Sequence, residues 1–319
     1  MQAIFQVTLP FFALVLCGYL AAQRRVLPEA AIPGLNAYVL FFALPCMLFR
    51  FGASTPIGQL FNPVWLALWI GAALLVVFVT TTHSLASGLG LKDSAFGALI
   101  AAFPNTGFMG VPLLVALAGD RAAGPVIMTV LADLFFTSSL CLALAQSEGA
   151  GHWREGLDKA LRGALSNPLP WSIALGALVS VTQWTLPQPV MQIIKLLGDS
   201  ATPVALFTIG AVLWRSNQAA HTRTPARDIV PVVVVKLLVH PALVLALGLL
   251  FVQAGLPLEG FALGILVLAA ALPSASNVSL LAERYGADNG RIARIILWTT
   301  ALAFLSFSLA VRLFGVQPG

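Results

Sequence analysis

Charge is what this sequence has least of: Asp, Glu, Lys and Arg together make up 9% of its 319 residues, where an ordinary globular domain is about a quarter charged. So little polar surface cannot cover a water-soluble fold of this length, because one apolar stretch after another would have to be hidden from solvent. Cysteine is equally scarce. Cys17, Cys46 and Cys141 lie inside apolar stretches without C-x-x-C or Cys/His spacing, which argues against a zinc site or a disulfide framework and for three small buried apolar residues. The chain has four histidines and no G-x-S-x-G, H-E-x-x-H, P-loop or dinucleotide-binding glycine fingerprint. Nothing therefore points to an enzyme, a metal or a cofactor. The basic excess of +5 is spread over short loops and forms no run or single face, so a nucleic-acid partner is not indicated either. The N-terminal MQAIFQVTLPFFALVLCGYLAAQRR has no basic residue ahead of its apolar core, unlike a secretory signal peptide, and reads as a retained spanning helix.

What is present is hydrophobicity in long runs, 59% of residues with a mean hydropathy of +0.93. A membrane span needs about 20 mostly apolar residues. On that criterion ten segments emerge, near 3–22, 31–51, 63–86, 94–117, 124–146, 168–186, 189–214, 229–253, 260–282 and 290–314. The expected fold is an all-α membrane protein of ten transmembrane helices. Lys and Arg fall mainly after odd-numbered segments, at Arg24, Arg25, Lys92, Arg154, Lys159, Arg162, Arg215, Arg223, Arg227, Arg284, Arg291 and Arg294. Because basic loops stay cytoplasmic, both termini are expected to be periplasmic, in a bacterial inner membrane. Arg121, Arg312 and Arg50 are the basic residues of the opposite side.

The longest polar stretch, Ser147 to Asn167, divides the segments five and five. The expected organisation is a first five-helix repeat over 1–146, a cytoplasmic linker over 147–167 and a second repeat over 168–319. An odd number of spans per half inverts the second half, the arrangement of many secondary transporters, whose corresponding helices are often interrupted by Pro or Gly. The fourth segment carries Ala-Ala-Phe103-Pro104-Asn105-Thr106-Gly107, and the ninth, fourth in its own half, carries Ala-Ala-Leu272-Pro273-Ser274-Ala275-Ser276-Asn277. The following Gly/Asp turn comes 16 residues after the first proline (120 minus 104) and 15 after the second (288 minus 273). Pro45 and Pro203 form a weaker matching pair.

Proline removes a donor and clashes with the preceding turn, so Pro104 and Pro273 free carbonyls that lipid cannot satisfy. Broken helices crossing near the midplane would aim two positive N-terminal ends at one point and favour an anion there. Asn105, Thr106, Ser274, Ser276 and Asn277 follow the breaks and could supply directed hydrogen bonds. The alternative is an ordinary kink whose polar neighbours serve the freed carbonyls.

Charges deep in a membrane cost about 2.5–3.5 kcal/mol or more, which makes each a functional candidate. Asp133 lies mid-way along the fifth segment and is the best single candidate for a coupling-ion or proton site, the candidate ions being H+ and Na+. Lys236 and His240, one turn apart in the eighth, could attract a carboxylate or shuttle a proton; equally, Lys236 could neutralise Asp133 and His240 could be an interhelical donor. Asp199 in the seventh has Lys195 four residues before it, which suggests a same-face pair.

On these residues the chain resembles the auxin efflux carrier family, which includes plant auxin exporters and bacterial permeases such as malonate transporters. The likeness spans the chain. It rests on Phe103-Pro-Asn-Thr-Gly-Phe-Met-Gly-Val-Pro-Leu-Leu113, on Leu272-Pro273 through Glu283-Arg284-Tyr285-Gly286, on Leu197-Gly-Asp-Ser200 with Ala205-Leu-Phe-Thr-Ile-Gly210, and on NAYVLFFALPCMLF from Asn36 to Phe49. The resemblance implies two inverted repeats with crossing Pro-broken helices, as in sodium–proton antiporters and bile-acid symporters. It also implies a scaffold from the first two helices of each half, a transport domain from the other three, elevator-type alternating access and a homodimer. The substrate carboxylate would sit beside Pro104, Asn105, Pro273 and the residues that follow. Asp133 stands where plant exporters have an amide, and the cytoplasmic loop is reduced to about twenty residues; both departures favour a small bacterial metabolite over auxin. The expected function is thus a secondary active transporter or symporter of a small organic anion, with an anion channel or a membrane-embedded enzyme as competing readings.

Overall fold

A computed structural model describes residues 2–147, 158, 161–219 and 224–314. Most of the expected linker, with Arg154 and Lys159, lies outside the described residues, as does Arg223. Every regular element among those described is helical. We number them α1 (Gln2–Gln23), α2 (Glu29–Ser54), α3 (Pro63–Ala86), α4 (Leu91–Ala102), α5 (Thr106–Ala118), α6 (Asp120–Gln146), α7 (Pro168–Thr182), α8 (Gln188–Ala219), α9 (Ala226–Gln253), α10 (Gly260–Ala270), α11 (Val278–Tyr285) and α12 (Asn289–Leu313).

Seven helices are long and apolar enough to cross a membrane: α1, α2, α3 with its preceding turn, α6, α8, α9 and α12. The other three segments are shorter than the sequence suggests. The fourth and ninth are each divided at a proline, into α4 and α5 and into α10 and α11. The sixth ends at Thr182, because Gln183 takes a left-handed conformation (φ 53°) that breaks the helix. Large apolar side chains such as Leu16, Phe78, Trp171 and Leu305 face outward, as a lipid solvent permits.

Four helices contain a widened π turn, at Val39–Ala43, Thr106–Gly110, Asp133–Thr137 and Val235–Val239. Three of these precede a proline by two residues, namely Pro45, Pro112 and Pro241. In each case the carbonyl that the proline cannot serve lies inside the widened turn, so the helix re-registers locally instead of breaking. The turn beginning at Asp133 has no such proline and is made by polar side chains instead. Thr137 Oγ1 donates to Asp133 Oδ1 (2.8 Å) and Ser138 Oγ donates to the Leu134 carbonyl (2.6 Å).

Two helix pairs pack backbone to backbone. A Cβ at Gly18 of α1 would strike the Phe207 carbonyl of α8, and one at Gly210 of α8 would strike the Val15 carbonyl of α1. In the second pair, Gly52 of α2 faces the Ile173 carbonyl of α7 at 2.8 Å from an added Cβ, and Gly176 of α7 faces Phe49 of α2. Small residues permit this approach, which dispersion stabilises where no hydrophobic drive operates. Gly176 and Gly210 each follow a counterpart in the first half by 158 residues (176 minus 18, 210 minus 52), as does Pro203 after Pro45 (203 minus 45). Gly210→Ala is therefore expected to destabilise the folded protein by about 1–3 kcal/mol through overpacking. Gly34→Ala, where an added Cβ meets nothing within 4 Å, is expected to be neutral or slightly stabilising. Thermal unfolding of the two variants in detergent checks the contrast.

Candidate functional site

The two interruptions meet. Asn105 N–H donates to the Pro273 carbonyl (2.8 Å) and Ala275 N–H donates to the Phe103 carbonyl (3.0 Å), pairing Pro104 with Ser274 as a short antiparallel bridge. The freed backbone groups find specific partners here. In a continuous helix the Ile100 carbonyl would take the missing N–H of residue 104; it accepts instead from the Ser274 hydroxyl of the other broken helix (2.8 Å). Ser274 N–H, released from Ala270, donates to Thr299 Oγ1 of α12 (3.3 Å). The Ala270 carbonyl, at the negative end of α10, accepts from Lys236 Nζ (2.7 Å), where a cation is favoured by the helix dipole. Helices α5 and α11 begin at this crossing, and α4 and α10 end there.

Asn105, Thr106, Ser274 and Ser276 are all buried at the crossing, and Thr106 Oγ1 has no hydrogen-bond partner among the described residues. A cavity of about 1110 Å³ approaches it. Its lining runs from Lys92, Arg162 and Arg284 to Phe103 and Asn277 beside the crossing, and among the described residues no Asp or Glu lines it. Among the proposed binding residues only Asn277 lines this cavity; Pro104, Asn105, Thr106, Pro273, Ser274 and Ser276 do not.

The membrane-depth charges separate into two groups. Asp199 is paired with Arg50 of α2 (2.6 Å) and half exposed, so the expected pair with Lys195 on its own helix is corrected. The rotation of α8 against α2 decides the partner, and Tyr38 Oη with Ser200 Oγ (2.7 Å) bonds the same two helices nearby. Asp133, Lys236 and His240, by contrast, are fully buried and gathered. Asp133 Oδ1 accepts from Trp69 Nε1 of α3 (3.0 Å) and from Thr137. Lys236 Nζ contacts His240 Nδ1 at 3.3 Å, and the His240 ring lies 5.5 Å from that of Trp69. Lys236 forms no direct ion pair with Asp133: its hydrogen bonds go to Ala270 and His240. Asp133 Oδ2 and His240 Nε2 have no partner among the described residues, so no described residue on another helix accepts from His240 Nε2.

Sequence reading missed Trp69 and Arg291. Trp69 is an indole N–H inside an apolar span, and a buried indole N–H seeks an acceptor; that signal was available. Arg291 looked like a loop cation, yet it is buried in the first turn of α12. It donates to the Asp93 carbonyl of α4 (2.8 Å) and the Asp228 carbonyl of α9 (3.0 Å).

The family model described as "Membrane transport protein" matches residues 3–311. A protein of Rhizobium meliloti (strain 1021) described as "Putative malonate transporter" is 29% identical over 95% of this chain and 93% of its own length. The "Uncharacterized transporter YfdV" of Escherichia coli (strain K12) is 25% identical over 87% of each chain. The "Auxin efflux carrier component 8" of Arabidopsis thaliana is 22% identical over 75% of this chain and 79% of its own. With these matches running through both broken helices, the chain belongs to the auxin efflux carrier family of membrane transport proteins.

Proposed function

We propose that this protein is a secondary active transporter of a small organic anion, a mono- or dicarboxylate of malonate size. Its binding centre is the crossing of the two broken helices. The observation that carries the reading is the cavity: basic at one end, with no acid among the described residues of its lining, and leading to the crossing where two half-helices begin. A basic funnel raises the local concentration of anions, and half-helix N-termini with nearby amide and hydroxyl groups favour a carboxylate once it arrives. The relative named for malonate makes malonate the first probe.

The glycine and proline matches at a spacing of 158 residues, and the crosswise packing of α1 on α8 and α2 on α7, favour two inverted five-helix repeats over 1–146 and 168–319. In this reading α1, α2, α7 and α8 form the scaffold of a homodimer, and the helices around the crossing move as the transport domain of an elevator. The protein lies in the bacterial inner membrane with both termini periplasmic, so that the basic cavity faces the cytoplasm.

Asn105→Ala tests the binding centre. Loss of a hydrogen bond to a charged ligand is expected to cost about 1.5–3 kcal/mol, which is roughly a tenfold to hundredfold loss of affinity. Malonate counterflow in reconstituted vesicles reads it, with detergent-phase melting as the control for folding. Counterflow unchanged by the substitution removes the crossing as the binding centre, and uptake without counterflow identifies a pore instead of a carrier.

A further inference from the structure

We infer that Asp133 is the proton-binding site of a buried relay built from Trp69, Asp133, Lys236 and His240, and that its protonation is linked to the helix crossing through the bond from Lys236 to Ala270.

The argument starts from donors and acceptors. With Lys236 as an ammonium group, which can only donate, the 3.3 Å contact of its Nζ with His240 Nδ1 makes Nδ1 the acceptor and places the imidazole proton on Nε2. His240 is thereby held neutral, because a proton on Nδ1 would oppose the ammonium. The Nε2–H is then a buried donor without a partner, and Asp133 Oδ2 is a buried acceptor without one. Both belong to side chains that touch the same indole, one by a hydrogen bond and the other ring to ring. Leaving such groups unsatisfied is costly, and a proton on Oδ2 would remove the charge that a buried carboxylate otherwise carries without a donor there.

A proton fits better than a metal ion. The groups that bond Asp133 are donors, the Trp69 indole N–H and the Thr137 hydroxyl, and the Ala270 carbonyl is already taken by Lys236 Nζ. A sodium ion needs several oxygen acceptors and would sit near an ammonium group. No three His, Cys, Asp or Glu side chains among the described residues gather as metal ligands. Around the cluster, Cys141 on α6 is the further titratable group that faces Asp133. Helices α3, α4, α10 and α12 present no charged side chain at this depth; Lys92, Asp93, Arg291 and Arg294 lie in the first turns of α4 and α12.

The balance of the step is simple. With Lys236 charged and Asp133 ionised the cluster is neutral; one proton from water, taken by Oδ2, makes it carry a single positive charge. Nothing is oxidised and no bond besides O–H forms. That charge lies one hydrogen bond from the Ala270 carbonyl, four residues before the Ser274 of the crossing. An anion at the crossing therefore favours proton uptake, and by linkage the proton favours the anion equally. This coupling rests on the anion reading above; the proton site itself does not.

Infrared difference spectra of the purified full-length chain in lipid nanodiscs, recorded between about pH 5 and pH 9 so as to span carboxyl and imidazole titration, test the site without any substrate. The expected result is a carboxylic-acid carbonyl band that disappears with rising pH, is absent in Asp133→Asn, and shifts in Thr137→Val, which removes one donor to Oδ1. Spectra of Asp133→Asn superposing on those of the unaltered protein overturn the proposal. Should Asp133→Asn fail to fold, an unshifted band in Thr137→Val overturns it. Malonate added to sealed vesicles carrying a pH-sensitive dye then reads the coupling. Inward proton movement with malonate is expected, and proton movement that persists at full amplitude in Asp133→Asn counts against the linkage. A titrating band with no malonate movement at all leaves the proton site standing and removes malonate as the substrate.

Discussion

Lys236→Met is expected to destabilise the folded protein by about 3–5 kcal/mol, the range found when one partner of a buried charge pair is removed. Lys236 and Asp133 make no direct ion pair, but each is fully buried and neither has another opposite charge at that depth among the described residues. Methionine nearly matches the lysine stem in volume, so packing is retained and the loss reports the charge and its hydrogen bonds. Thermal or denaturant unfolding in a fixed detergent measures it.

The double variant Asp133→Asn/Lys236→Met divides that loss into two parts. Removing both charges abolishes the uncompensated carboxylate, so most of the destabilisation is expected to be recovered. What stays lost is the donor to the Ala270 carbonyl, worth about 1–3 kcal/mol when a buried acceptor is left unmade. A double variant as unstable as Lys236→Met alone would show that Lys236 acts at the end of α10 and not through Asp133. A double variant as stable as the parent would show that the Ala270 carbonyl finds another donor. Both outcomes are separable because a cycle isolates the coupling between two sites.

How much of this was legible beforehand depends on whether the information is local. Proline's missing donor is a local fact, so the breaks at Pro104 and Pro273 could be read directly, and their matching positions hinted that they belong together. The partners that satisfy them could not be read. Nothing near Ile100 in sequence announces that a serine 174 residues away will serve its carbonyl. Asp199 shows the opposite error. The helical spacing to Lys195 gave an intrahelical pair, but such pairs are worth only about 0.2–0.5 kcal/mol, and the approach of α2 brought Arg50 within 2.6 Å instead. Arg291 was misread because its position near a loop suggested exposure, whereas its guanidinium ties α4, α9 and α12 together through carbonyls invisible to any charge count. Widened turns before Pro45, Pro112 and Pro241 follow from proline chemistry. The one beginning at Asp133 follows from its threonine and serine neighbours, a pattern too common in membrane helices to single out.

On the proposed anion-transporter reading, neutralising the basic end of the cavity acts on the approach of the anion more than on its turnover. Of the three cations lining it, Arg162 already pairs with Asp158 at 2.9 Å, while Lys92 and Arg284 have no ion pair among the described residues, so these two carry most of the field. Lys92→Gln/Arg284→Gln is expected to raise the KM for malonate by about tenfold or more, at the lower end of what electrostatic focusing supplies, with a much smaller change in limiting rate. Arg24, Arg25, Arg227 and Arg294 remain on the same expected side, so the orientation rule still points the same way. Salt supplies the sharper test. Charges separated by more than a Debye length of about 10 Å are screened at 0.1 M, so in the unaltered protein KM should climb as ionic strength rises from about 0.01 to 0.2 M. In the double variant that slope should flatten, because little field is left to screen. A raised KM with an undiminished salt slope would mean that the two side chains contact the anion only after it arrives and that the steering field originates elsewhere. An unchanged KM would place the entry route on the far side of the crossing, where Glu259, Arg121 and Asp120 define a different electrostatic setting.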